Sequence, residues 1–168
     1  MLFTKSFVCN FDWEIVARAF YRMYPSKHYP HVRDIHIIDH EVIPESKQLK
    51  VRRIARVTYN FPSIVHYIVG PSIEYMMLEE SLLDLNTRSI SVKTTGFTML
   101  DSYRYDEEAS LMMAGSGKTQ YNSAIEFRIL GFGFFNSTLE SVARRVVTEF
   151  SEKDSITKAI VEAVNNLD

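Results

Sequence analysis

The hydrophobic period of this chain changes once, and that change sets the fold class. From Ile35 to about Leu130, apolar residues alternate with polar ones in short runs, His36–Val42, Leu49–Tyr59, Ile73–Leu83, Ile90–Phe97, Ser102–Leu111 and Tyr121–Leu130. This is the period of strands with one buried face. From about Asn136 to Leu167 the stripe Leu139, Ala143, Val146, Phe150, Lys153, Thr157, Ile160, Val164, Leu167 recurs at helical spacing, apolar except in its middle. Ser137 with Glu140 makes a candidate capping box at its start. The strand runs are joined by short turn signals, Pro44-Glu45, Asn86-Thr87 and Gly115-Ser116-Gly117, so the sheet should be largely antiparallel. A helix of roughly 30 residues, on the order of 45 Å long, is most economically laid across one face of that sheet. Ahead of the meander stand a short strand at about 2–9 and a helix capped by Asp12, with Trp13, Val16, Ala17, Phe20 and Tyr24 on one face and Pro25 as its stop. The expected class is α+β, one domain over residues 1–168.

Size and composition agree with that class. A chain of 168 residues, 46% apolar, hides roughly two-thirds of its unfolded surface without needing disulfides or a structural metal. The single cysteine, Cys9, excludes an internal disulfide framework and a Cys-rich zinc site. No run reaches the roughly 18 apolar residues of a membrane-spanning helix, and Met1–Phe7 lacks the pattern of a cleavable leader. The net charge of −2 argues against a nucleic-acid partner. That charge is unevenly spread: residues 1–60 hold ten Lys/Arg and six Asp/Glu, whereas residues 61–168 hold nine and fifteen.

Two cations fall on apolar faces. In Leu49–Tyr59, Arg53 shares a side with Leu49, Val51, Ala55 and Val57, and Lys153 interrupts the helical stripe. A buried cation needs an internal carboxylate, a route to the rim, or an external anion. Two cations facing the space between sheet and helix would match an anionic headgroup with an apolar tail. The segment Phe61–Pro71 is too apolar for an ordinary solvated loop and is either a core-packed connection or a lid over a cavity.

Other motifs carry no chemistry. Gly115-Ser116-Gly117-Lys118-Thr119 resembles the end of a phosphate-binding loop, but Met112 stands where the first glycine belongs and a strand follows instead of a helix. His28/His31 and His36/His40 converge with no acidic partners into a metal site, and no nucleophile elbow occurs. The basic strand Lys50-Val51-Arg52-Arg53-Ile54-Ala55-Arg56 reads either as a solvated face or as a contact for phosphates of a bilayer surface.

The order and spacing of Phe11-Asp12-Trp13-Glu14-Ile15-Val16, Tyr24-Pro25, Pro30-His31-Val32, Leu49 with Arg52-Arg53-Ile54, and Phe61-Pro62-Ser63-Ile64-Val65 with Ile68-Val69-Gly70 resemble the PRELI-domain family. The last segment is most similar to its slowmo branch. The resemblance implies a curved antiparallel sheet gripped by a long C-terminal helix, a START-like helix-grip fold with a lid loop. It further implies a phospholipid transfer protein, not an enzyme, that needs no cofactor or metal. Such a protein would carry phosphatidylserine or phosphatidic acid between mitochondrial membranes, working in the intermembrane space with a small helical twin Cys-x9-Cys partner and touching membranes transiently. On this resemblance Phe61, Pro62, Ile64, Val65, Tyr67, Ile68 and Gly70 belong to the lid, and Arg53 and Lys153 to the headgroup site. Two positions depart from the family. Met23 replaces a basic residue before Tyr24-Pro25, leaving neighbouring Arg22 as a candidate headgroup cation, and Val57 replaces a pocket lysine, leaving neighbouring Arg56 as another. Both losses remove cation from the headgroup site, which an interaction or scaffold module of the same fold would also show.

Overall fold

The computed structural model describes residues 1–60, 63, 66–69, 72–150 and 153–166; the side chains of 68, 69, 143, 145–147, 149, 150 and 153–155 are outside that description. Strands β1 (Leu2–Cys9), β2 (Val32–Ile43), β3 (Gln48–Asn60), β4 (Ser72–Asp84), β5 (Ser89–Gly96), β6 (Tyr103–Met113) and β7 (Thr119–Ile129) form one sheet. Its order is β1-β7-β6-β5-β4-β3-β2, antiparallel throughout. The meander runs outward from β7 to β2, and β1 returns to the far edge beside β7. Alternation decides the faces as expected: Val51, Arg53, Ala55 and Val57 are buried while Lys50, Arg52 and Arg56 are exposed.

Helix α1 (Trp13–Phe20), the single turn α2 (His66–Val69), and helices α3 (Asn136–Phe150) and α4 (Lys153–Asn165) complete the chain. The region expected as one helix over 136–167 is thus described as two helices on either side of 151–152. The buried stripe of α4 is Ile156, Ala159, Ile160 and Ala163, one residue off the expected Thr157 and Val164. These side chains join Trp13, Val16 and Phe20 of α1 and Phe7 of β1 in one core. A second cluster on the same face holds Ala55, Val57, Tyr75, Met77, Tyr103, Tyr105 and Ile125.

Three local expectations change. Helix α1 stops at Phe20 rather than Tyr24, with Arg22 N–H donating to Ala19 O at 3.0 Å; a residue before proline is sterically kept out of the helical region, which frees Tyr24 to pack elsewhere. Asp12 does sit at the N-cap, and its carbonyl accepts from the Ile15 and Val16 amides at 3.1 Å. Its carboxylate makes no cap bond and instead accepts from the Gly117 amide at 2.8 Å, so it ties the β6–β7 turn to α1. Ser137 lies inside α3, not before it, because the chain enters that helix through a tight turn at Gly133–Phe135; the Asn136 side-chain oxygen accepts from the Phe132 amide at 3.1 Å.

Candidate functional site

Between the inner face of the sheet and helices α1 and α4 lies a cavity of about 140 Å³. Its wall is mostly apolar, with Val57, Met77, Val92 and Ile125 from the sheet, Phe20 from α1, and Ile156 and Ile160 from α4. The tyrosines Tyr24, Tyr29, Tyr59, Tyr105 and Tyr121 also line it. Burial raises the pKa of each of them, so they meet the cavity as neutral hydroxyls and ring faces.

A polar row crosses this apolar face. Strand register places Arg53 opposite Glu79, Glu79 opposite Thr94, and Thr94 opposite Glu107. Arg53 is 2% exposed; its Nε donates to Glu79 Oε1 at 2.8 Å and its Nη2 lies 2.5 Å from the same oxygen. The guanidinium also stands 5.0 Å from the Phe20 ring centroid and 5.4 Å from that of Tyr21, which suits a weakly hydrated planar cation. Of the counter-charges open to Arg53, the internal carboxylate is the one present. Burial lifts the Glu79 carboxyl above its ordinary range, Arg53 pulls it back, and Glu107 lifts it further.

Glu107 accepts from Tyr105 OH and from Ser123 Oγ, each at 2.7 Å. Ser123 pairs across strands with Lys5 of β1. Burial lowers the Lys5 ammonium from its usual value, against the opposing pull of Glu107. Glu79, Glu107 and Lys5 all line the cavity, and Lys5 is the lining cation among the described residues.

The sequence-based candidates are dispersed by comparison. Arg53 is paired to Glu79, which lines the cavity, but is not itself a lining residue, and Arg22 is exposed just past α1. Arg56 is on the outer face, where its Nε donates to Asp34 at 2.9 Å. None of these three is among the described lining residues. Lys153 begins α4, and its side chain is outside the described residues. Of the lid positions, Phe61, Pro62, Ile64, Val65 and Gly70 lie outside the described residues, Ile68 is described only as helical backbone, and Tyr67 is fully solvent-exposed. The outer basic strand is neutralised: Lys50 pairs with Glu41 at 3.2 Å, and Arg52 with Glu80 at 3.5 Å and Asp39 at 3.8 Å.

Glu79, Glu107 and Lys5 escaped the sequence reading, although the test that found Arg53 also finds them. Each sits on the apolar phase of its strand, Glu79 between Met77 and Ser81, Glu107 between Tyr105 and Ala109, and Lys5 between Phe3 and Phe7. A buried charge on an alternating strand signals a partner or a ligand.

A model of the PRELI-like family matches residues 14–166. Among curated proteins, the chain is 26% identical to the protein UPS2, mitochondrial, of Saccharomyces cerevisiae over 98 residues, which is 58% of this chain and 43% of that protein. It is 28% identical to a slowmo homolog of Dictyostelium discoideum over 95 residues, 56% of this chain and 41% of that protein. The matches therefore span less than half the length of these two relatives. Among solved structures, TTHA0849 from Thermus thermophilus superposes with a TM-score of 0.63 at 15% identity, covering 99% of this chain and 98% of that one. The Zhui aromatase/cyclase from a Streptomyces species does so with a TM-score of 0.57 at 10% identity, covering 99% and 94%. At such identities these likenesses show the fold alone, the helix-grip α+β architecture in which helices close over an antiparallel sheet.

Proposed function

The chain belongs to the PRELI-like family, and from that membership together with its cavity we propose that it is a non-enzymatic carrier of an anionic glycerophospholipid, phosphatidylserine or phosphatidic acid, between mitochondrial membranes. The observation that carries the reading is the apolar chamber between sheet and helices, crossed by a charged row that includes Lys5. Acyl chains gain about 0.8 kcal/mol per methylene buried against such a wall. Lys5 from the sheet and Lys153 from the start of α4 would compensate the phosphate, while Arg53 serves the site indirectly by holding Glu79. The similarity to a yeast protein named as mitochondrial supports the compartment; the intermembrane space and the small twin Cys-x9-Cys partner belong to the same proposal.

A cavity of about 140 Å³ is smaller than the ~300–1,000 Å³ of ordinary ligand pockets, so loading a two-chain lipid requires the wall to yield. The segment 61–71 is proposed as the part that opens. The test is extraction of labelled phospholipid from donor vesicles and delivery to acceptors, with and without a small twin Cys-x9-Cys partner, across a panel of headgroups. Transfer of an anionic headgroup is expected, slowed severalfold by Lys153→Glu or Lys5→Glu with the thermal midpoint retained. No transfer of any headgroup would leave the other reading, an interaction module of this fold, favoured by Met23 and Val57 on the cavity wall where cations were expected.

A further inference from the structure

Two connections meet at the end of the sheet where β5 and β7 finish. The β5–β6 turn carries exposed Phe97, Met99 and Leu100, and the β7–α3 connection carries Phe134, 86% exposed, and Phe135. The two are physically joined. Leu130 N–H donates to Ser102 O at 2.7 Å, and Gly131 lies so close to Asp101 O that a β-carbon there would stand 2.8 Å from it. The Phe134 and Phe135 ring centroids are 4.5 Å apart.

Residues 95–100 and 129–135 contain no charge; on the outer face the pair nearest these tips is Arg104 opposite Arg128, the acidic pair Asp106 and Glu126 stands one step further back, and the turn's own charge is exposed Asp101. Like charges directly opposite each other repel. Glu126 answers Arg128, with Nε donating at 2.8 Å, while no ion pair is recorded for Arg104 among the described residues. Projecting aromatic and methionine tips backed by a cation pair match a bilayer interface, where rings sit at headgroup level and cations meet phosphate. Tyr59 and Tyr105 bring the cavity wall to this same end.

We propose that this end of the sheet, through Phe97, Met99, Phe134 and Phe135 with Arg104 and Arg128 behind them, is the surface by which the protein docks on an anionic lipid bilayer. This rests on the carrier reading, and its test separates the two. Flotation with vesicles of phosphatidylcholine plus phosphatidylglycerol should show binding by the unmodified chain, lowered roughly tenfold or more by Phe134→Asp with Met99→Asp. Val42→Asp on the exposed β2 edge should leave binding unchanged. Arg104→Glu should reduce the preference over phosphatidylcholine alone. In parallel, uptake of a short-chain phospholipid below its micellar concentration reads the cavity without any membrane. Unchanged flotation of the Phe134→Asp/Met99→Asp variant, or no flotation by the unmodified chain, overturns the docking surface even if short-chain lipid is taken up. Failure of that uptake by every form sinks the carrier reading while leaving flotation to decide the surface.

Discussion

The Arg53–Glu79 pair is a buried ion pair, with Arg53 2% and Glu79 7% exposed. Taking either partner away leaves a bare charge inside the sheet–helix space, whereas removing both can be nearly neutral. Arg53→Met alone is expected to cost about 3–5 kcal/mol, read from urea unfolding, and Arg53→Met with Glu79→Leu to recover most of it. A double variant no more stable than the single one would show that the pair is not a unit. His31 supplies the pH dependence. It is 9% exposed, stacked at 5.0 Å on Tyr59, and burial lowers its pKa from 6.5 to about 4. Because the folded value is depressed, its contribution is present above pH 6.5 and is lost as pH falls towards 4. That loss should reach about 3 kcal/mol. His31→Phe, which keeps the ring stack, should flatten the stability profile across that window; an unchanged slope would assign the acid sensitivity to other groups.

Among the elements, legibility followed how much of the outcome was local. The period-two runs located six of the seven strands of the sheet to within a few residues, and the first strand was placed at 2–9 against the observed Leu2–Cys9. The fate of polar groups at element ends was less legible, because it depends on chain distant in sequence. Asp12 is a helix cap by position, but its carboxylate accepts from Gly117, whose φ of +68 lies in the left-handed region that favours glycine. Asp12→Ala is therefore expected to cost about 1 kcal/mol and to raise amide exchange at Gly117, while exchange in the first turn of α1 stays unchanged; the reverse pattern would restore the capping role. The candidate site was half legible for the same reason. Alternation marked Arg53 as buried, but cross-strand register, which decides that Glu79 faces it and that Glu107 follows two strands on, is not written in any one segment. Arg56 neighbours a pocket position in sequence, but a one-residue step along a strand turns a side chain to the opposite face; Arg22 follows the end of α1 and faces solvent.

Over the whole molecule the two faces of the sheet treat charge differently. The outer face carries an alternating ladder, Asp39, Arg52, Glu80, Lys93 and Glu108, in register across five strands, which cancels the basic excess of the first sixty residues where it would otherwise project. The inner face keeps few charges and sets them around a chamber. Closing that chamber depends on β1, which supplies Lys5 and Phe7 yet pairs only with β7, more than a hundred residues later in the chain. During synthesis β1 thus stays without its sheet partner until residues 119–129 have arrived. The cavity comes later than the sheet, because Ile156 and Ile160 of α4 form part of its wall: a product that stops between residues 129 and 156 has every strand and lacks the helical side of the chamber.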